Sequence, residues 1–478
     1  MATPVFLFRS GSAAGDLLSI VDFQGVEKLN AAYRFDIRLK ADVARSIDLK
    51  QILTQSATLI LEHDKAKHYF HGILASAERE QIAGGYQFFR VALVPPLWRL
   101  SLEYRSAVFV DKTIPEILEE TLKAAGFSKG ADYDLSGLTV KYPSREFTCQ
   151  YHETDLNFIS RLMEQEGIHF YFENDDKACK LMLADGQDYT PVPDLDSVMF
   201  ADPGNTKDYE SIVRLRCRYE QTPVDVKVKD YNYTQPSLNV LGTVDVKTGA
   251  GYPGDFGSVW LFGENTATPE DATRIARLRA EEIGCWANTY EGTSAICDLR
   301  AGYVFKLQGH GLKEYNQGYL VTEIRHSARN LDQSWGGRSY DDAERAGNEA
   351  YYSNSFNAIA SAVQFRPRRA TLKPRVSGML TGHVYSDTAG NLLPIDDFGR
   401  YRVELPFVNA DDPSKKVTCW MRMAQPAAGA KYGTYFTLET GAEVLVTFIN
   451  GDPDRPVIWG SLYNGASALL KTVQGNHL

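Results

Sequence analysis

Residues 394–407 read PIDDFGRYRVELPF, residues 417–433 VTCWMRMAQPAAGAKYG and residues 441–465 GAEVLVTFINGDPDRPVIWGSLYNG. In the first piece Tyr401, Val403, Leu405 and Phe407 alternate with Arg402, Glu404 and Pro406, the period of two of a strand with one buried and one wet face. Further apolar runs at 380–386, 417–423, 444–449 and 457–463 are bounded by Gly, Pro, Asn and Asp turn residues. Five short strands in about 90 residues suit a small closed barrel, and the OB-fold is the common five-stranded form.

Upstream, residues 149–173 read CQYHETDLNFISRLMEQEGIHFYFE. Thr154 can cap a helix whose Leu156, Ile159, Leu162 and Met163 share a face. Gly167 can take the left-handed terminating conformation, and a strand begins over 169–172. Residues 1–140 are β-rich, with expected strands at 59–62, 69–74 and 88–94. One helix interrupts them, where Thr113 and Glu116 form a capping-box pattern and Ile114, Ile117, Leu118 and Leu122 share a face before Gly126. From 141 to 363 the pattern is α+β, with strands expected at 212–219, 224–232 and 318–327 and a second helix over 269–283. Residues 364–375, QFRPRRATLKPR, hold five basic residues, two prolines and no acid, the composition of an extended, stiffened strap.

With 478 residues the chain has room for two to four domains. No apolar run reaches the roughly 18 residues of a membrane span. The start, MATPVFLFRSGSAAGD, has no basic stretch ahead of a sustained apolar core, so no cleaved signal peptide is expected. Six cysteines lie far apart with no C-x-x-C pair, which argues against a zinc ribbon and a dense disulfide framework. Sixty-one acidic against fifty-one basic residues give a net charge of -10, the wrong sign for nonspecific binding to nucleic acid or anionic lipid.

In order, DDFGRYRVELPF, WMRMAQP, the G-x-E-V-x-V-x-F strand of 441–448, GDPDRPV and the G-x-x-Y-N of 460–464 resemble the OB-type domain of VgrG proteins. These are the spikes of bacterial type VI secretion machines, relatives of contractile phage tail hubs. The 149–173 segment is similar to that family's helix followed by G-I-x-x-x-F. Tyr252-Pro253-Gly254 ahead of a helix containing RLRAEE, and residues 353–378 leading into the barrel, resemble it too. The likeness covers nearly the whole chain, more thinly before residue 140.

The resemblance implies a mainly β, homotrimeric protein: phage-tail-hub-like β-barrel domains with short helical insertions, then a five-stranded OB-fold barrel. The expected division is hub β-barrel region 1–140, second hub region 141–363, basic linker 364–376, OB-fold domain 377–465 and, at 466–478, the start of a β-helical needle. Either the needle continues beyond this sequence or a separate chain supplies the point. Implied partners are an Hcp-like tube, a PAAR-like tip, secreted effectors with their adaptors, and baseplate proteins, without nucleic acid or stable membrane insertion. The protein would be assembled in the cytoplasm and carried out by the machine itself. The alternatives are the hub of a contractile phage particle and, below that, a cell-wall hydrolase or ligand-binding barrel.

No catalytic, cofactor-binding or metal-binding residue is assigned. His68 and His71 have the i, i+3 spacing of some zinc ligands, but in a strand these positions point to opposite faces. Gly249, Gly251 and Gly254 spell G-x-G-x-x-G with Pro253 inside and no helix directly following, a turn rather than a pyrophosphate cradle. Asp396-Asp397, Asp411-Asp412 and Asp452-Pro453-Asp454 could be imagined as glycosidase carboxylates, but each sits where Asp caps a turn and stays ionised in water. Gly292-Thr293-Ser294 lacks the second glycine of a nucleophile elbow. Tyr401, Trp420, Tyr435 and Trp459 could stack bases, yet residues 377–465 carry seven Lys/Arg against ten Asp/Glu; the aromatics are expected to fill the barrel and its subunit contacts.

Overall fold

The computed structural model describes residues 5–11, 18–63, 66–193, 195, 197–201, 211–248, 254, 256–330, 351–386, 394–407 and 418–465. The hub begins with six strands: Val5–Ser10 (β1), Ser19–Lys28 (β2), Arg34–Asp42 (β3), Ser56–His63 (β4), Ala66–Ala83 (β5) and Tyr86–Val94 (β6). They are hydrogen-bonded in the order β1-β4-β5-β6-β3-β2, and the two ends of that row meet through the edge-to-face rings of Phe6 and Phe23, 5.3 Å apart. Alternation in β3 drives Phe35, Ile37 and Leu39 inward onto Phe23, Phe70 and Leu93, which is why the row curls around one core. β5 and β6 approach so closely that a Cβ on Gly72 would lie 2.0 Å from the Val94 carbonyl oxygen.

Six later strands repeat the plan: Val198–Phe200 (β7), Ser211–Tyr219 (β8), Asn288–Ser294 (β9), Tyr303–Gln308 (β10), Gly318–Arg329 (β11) and Tyr351–Ala360 (β12). Pairing runs β11-β12-β9-β8-β7-β10 and returns to β11, so this second set closes as a barrel. β2 and β11 pair antiparallel from Asp22↔Arg329 to Lys28↔Glu323, fusing both sets into one sheet. A buried polar chain lines this seam: His326 bonds Glu27 at 2.8 Å and the Tyr352 hydroxyl at 2.6 Å, while Asn354 links Tyr352 to Ser294.

Two insertions thicken the hub. The first carries the antiparallel ribbon Tyr104–Lys112 and Arg145–Thr154, helices Ile114–Ala124 (α1) and Asp155–Glu166 (α2), and a three-stranded sheet. The Thr113/Glu116 capping box forms, Thr154 caps α2 by accepting from Asn157 N–H, and Gly167 ends it at φ 69°. One core joins Leu118 and Leu122 to Phe158, Leu162, Phe170 and Leu183, drawing on both sides of residue 140. The second insertion backs strands Asp225–Asp230, Val240–Asp245 and Ser258–Phe262 with helix Pro269–Cys285 (α3).

The C-terminal unit is a closed five-stranded barrel: Leu380–Val384 (β13), Tyr401–Glu404 (β14), Thr418–Met423 (β15), Glu443–Phe448 (β16) and Pro456–Leu462 (β17), in the order β13-β14-β15-β17-β16. Only β15 and β17 run parallel, through Arg422↔Val457 and Met423↔Ile458. Tyr401, Val403, Met421, Val444, Val446 and Ile458 fill it.

The expected strands and helices are present with shifted ends. β14 stops at Glu404, before Pro406, which has no N–H to give a ladder. Val417, expected to begin a strand, and residues 466–478, read as the start of a needle, lie outside the described residues. β12, read only as part of the passage leading into the barrel, is a ten-residue strand paired on both edges. The tight β5/β6 approach makes Gly72→Ala a local test of the first barrel: the added methyl must push backbone apart, lowering unfolding free energy by about 1–3 kcal/mol. A denaturant titration with unchanged midpoint would contradict that packing.

Candidate functional site: the junction of hub and barrel

The richest convergence of charged side chains lies where the barrel meets the hub. Turn GDPDRPV, between β16 and β17, inserts into it. Asp454, whose side chain is 4% exposed, accepts the Cys149 backbone N–H at 2.6 Å and the Lys373 ammonium at 2.6 Å. Asp452 takes the same ammonium at 2.5 Å and accepts from the Asn265 amide at 3.1 Å. Arg455 reaches the buried Asp230 carboxylate at 2.5 Å. On the other flank Arg400, held by Asp396 at 2.6 Å, bonds Glu146 and the Tyr233 hydroxyl, each at 2.7 Å. Apolar contact completes the seat: Val108, Phe147 and Tyr151 of the hub ribbon pack against the barrel core.

Behind Cys149 stands Arg161 of α2, buried, forked onto Glu153 and donating to the Cys149 carbonyl at 2.9 Å. Burial pushes the Asp454 carboxyl up, but Lys373 and Arg161 together outweigh it, and the group lies below its usual range. The cluster is thus ionised and water-poor, where each charge depends on its partners.

The basic connector is docked along this same helix. Phe365 is buried edge-to-face against His169 at 5.6 Å and Trp286 at 5.7 Å. Arg366 donates to the carbonyls of Gly167 and Asp185 at 3.0 and 2.8 Å and to Glu281 at 2.7 Å. Arg369 pairs with Glu264 at 2.7 Å, and Thr371 donates twice to Glu164 at 2.9 and 2.8 Å. Glu166 is locked by Arg145 and Arg274. Segment RLMEQEG is therefore a cradle: its apolar residues face the core while Arg161, Glu164, Glu166 and Gly167 hold turn, strap and ribbon. Sequence reading found the apolar face and missed the charged one. The usable signal was a connector with five basic residues and no acid, whose partners had to be acids elsewhere in the chain.

Expectations for the acidic turns divide accordingly. Asp454 does not sit in water; it is a buried docking group, because the hub covers its turn. Asp396 does organise its turn, accepting from the backbones of Phe398 and Arg400, and it also steers Arg400 onto the hub. Asp411, Asp412, Gly249, Gly251, Tyr252 and Pro253 lie outside the described residues. A Cβ on Gly254 would lie 2.1 Å from the Pro223 carbonyl oxygen. His68 faces the core, 3.2 Å from the Cys297 carbonyl, whereas His71 bonds Thr58 and the Asp175 carbonyl on the other face of β5. Gly292 lies in β9 under the Phe356 ring, and Ser294 donates to Asn354 rather than facing a base at an elbow. Tyr401 is buried and bonded to Leu438 N–H and the Tyr435 hydroxyl; Trp420 is flanked by Arg400 and Arg402; Trp459 and Tyr435 face outward.

Residues 26–332 match the phage tail baseplate hub (GPD) family, and residues 395–463 match the type VI secretion system/phage-baseplate injector OB domain. The chain belongs to the phage tail baseplate hub family. It is 27% identical to the type VI secretion system spike protein VgrG1b of Pseudomonas aeruginosa, over all of this chain and 63% of that one. To VgrG5 of the same organism it is 30% identical, over 93% of this chain and 56% of that one. The chain thus spans less than two thirds of the length of these relatives. Among solved structures the E. coli c3393 protein, a type VI secretion component similar to the T4 tail proteins gp27 and gp5, superposes with a TM-score of 0.68 at 23% identity, over 95% of this chain and 99% of that one.

Asp454→Ala leaves the Cys149 N–H without its acceptor and Lys373 with Asp452 alone, and is expected to lower stability by about 1–3 kcal/mol in chemical denaturation. His169, beneath Phe365, is held to about 4 by burial and by the Arg366 guanidinium. Because its folded value lies below the ordinary 6.5, its contribution is full above pH 6.5 and is lost as pH falls toward 4, by up to roughly 3 kcal/mol. His169→Phe should flatten that part of the stability-against-pH curve; an identical slope in both proteins would refute the assignment.

Proposed function

We propose that this chain is the hub and barrel part of a trimeric spike that caps the Hcp-like tube of a type VI secretion machine and delivers effectors across target membranes, with no catalysis in this part. The observation that carries this reading is the rigid seating of an OB-type barrel on a double-barrel hub, in a chain similar to spike proteins from end to end. Two six-stranded barrel units per protomer, taken three times, supply a pseudo-sixfold ring that suits a hexameric tube. The working division is 1–140 and 141–363 for the hub, 364–376 for the strap and 377–465 for the barrel, with 466–478 leading to a needle. A PAAR-like tip, effectors with adaptors and baseplate proteins are the remaining partners. Export would be by the machine itself.

The second reading, a contractile phage or phage-like hub, is favoured by the breadth of the matching families, whose descriptions cover phage baseplates as well as secretion systems. A sheath, tube and ATPase encoded beside this gene would select secretion; capsid and terminase genes would select phage. Both readings require assembly. Light scattering at micromolar concentration should give three times the 53.4 kDa chain mass, and a stable monomer would overturn them. Asp396→Asn/Asp397→Asn should leave a cell-wall hydrolysis assay at background, whereas an activity abolished by that change would restore the hydrolase reading.

A further inference from the structure

Between β15 and Leu438 the chain leaves the barrel. Residues 426–437 are exposed without interruption, and they include a hairpin pairing Ala428↔Gly433 and Gly429↔Tyr432. The arm has a defined shape: Thr434 N–H donates to the Ala427 carbonyl at 2.9 Å, Phe436 N–H to Gln425 at 3.2 Å, and the Tyr435 hydroxyl to that of Tyr401 at 3.0 Å. The Tyr432 ring lies across Gly429, close enough that a Cβ there would meet it at 2.6 Å. Yet Tyr432 is 75% exposed and Phe436 58%, and a two-stranded hairpin with nothing beneath it is marginal in water.

The same barrel carries a matching surface. β17 pairs with β15 only at Val457 and Ile458, because the chain departs into the arm just after Ala424, whose N–H bonds the Ile458 carbonyl. From Trp459 onward no described strand lies on that side of β17. Along this open edge Trp459 is 60% exposed and Tyr463 69%, with Leu462 between them also exposed.

We infer that the arm, residues 426–437, is a clasp that lies on the open β17 edge of a second copy of this chain. A preformed arm and an edge with no described strand beside it sit on one barrel, diverging from each other at Ala424, so each finds its complement on a neighbour. Arm and edge are different surfaces, so the contact is heterologous and generates a closed ring when the rotation closes. Aromatic residues of about 150–250 Å² each, roughly half to three-quarters exposed, supply several hundred Å² per protomer, approaching the ~800 Å² per partner of a standard interface. The occupant is apolar and aromatic because the arm's own surface is mostly Ala, Gly, Pro, Tyr and Phe, with two threonines and Lys431 as its one charge. This inference rests on the trimeric reading and assigns its barrel contact.

The full chain carrying both Tyr432→Cys and Trp459→Cys, treated with a short bifunctional maleimide, should give an SDS ladder ending at three chains, while wild type and either single variant give none. A ladder from Tyr432→Cys alone, meaning that arms meet arms, or exclusively intrachain product from the double variant overturns the inference. Independently, Tyr432→Ser/Phe436→Ser should raise the trimer dissociation constant at least 100-fold and release folded 53.4 kDa chains with unchanged near-ultraviolet circular dichroism. Trimers of undiminished affinity sink the clasp and leave the trimer standing. Wild type found as a monomer instead sinks the trimeric reading itself.

Discussion

The placement of the barrel depends on a small set of charges on one barrel turn: Asp452 and Asp454 against Lys373, and Arg455 against the buried Asp230. Such a cluster gains little over an apolar contact of the same size, because desolvation consumes most of the attraction. Its consequence is specificity. A hydrophobic seat tolerates sliding and rotation with modest loss, whereas a shift of the GDPDRP turn would leave a carboxylate and two cations unpaired in a low-dielectric gap. Hub and barrel are thereby locked in one relative orientation. The strap adds to this, since Arg366, Thr371 and Lys373 find their anchors on α2, α3 and the barrel turn.

The same logic operates inside the hub. β2 and β11 fuse two barrel units edge to edge, which removes an exposed strand edge from each. Antiparallel pairing of two curled sheets alone would not fix the register, because a two-residue slip preserves which side chains face in. The buried chain from Glu27 through His326, Tyr352 and Asn354 to Ser294 crosses three strand pairs and is satisfied in one register. Polar groups choose the arrangement here, and apolar ones supply the driving force.

What was legible in the sequence followed from local periodicity. Tyr401, Val403 and Leu405 announce a half-buried strand, and Thr113 with Glu116 announces a helix start, because in both cases the interacting residues are neighbours along the chain. The junction was not legible for the opposite reason. Asp454 is 305 residues from the Cys149 N–H it accepts, and a carboxylate in a Gly-Asp-Pro turn looks the same whether water or a hub covers it. The connector's composition pointed to a segment without helix or strand, and it has neither; that Arg366 is buried rather than free depended on carbonyls of Gly167 and Asp185, which no composition encodes. β12 escaped notice because its alternation, Tyr352, Asn354, Phe356 and Ala358, has an inward asparagine that belongs to the seam.

Within the protomer, then, ionic and polar contacts fix how apolar seats fit together, while the surfaces left outward on the barrel are aromatic and adaptable. That division suits the trimeric spike proposed above, a body that keeps its internal geometry while it associates with copies of itself. Ionic locks resist sliding through the steep cost of separating a buried pair, and they cannot mispair without leaving a charge uncompensated. Aromatic arms carry area at low rotamer cost, so a ring of identical subunits gains stability once per neighbour without any subunit needing the contact to fold. The closed barrel cores of Val, Tyr, Met and Ile support this independence, since β13 to β17 close on themselves before the arm meets anything.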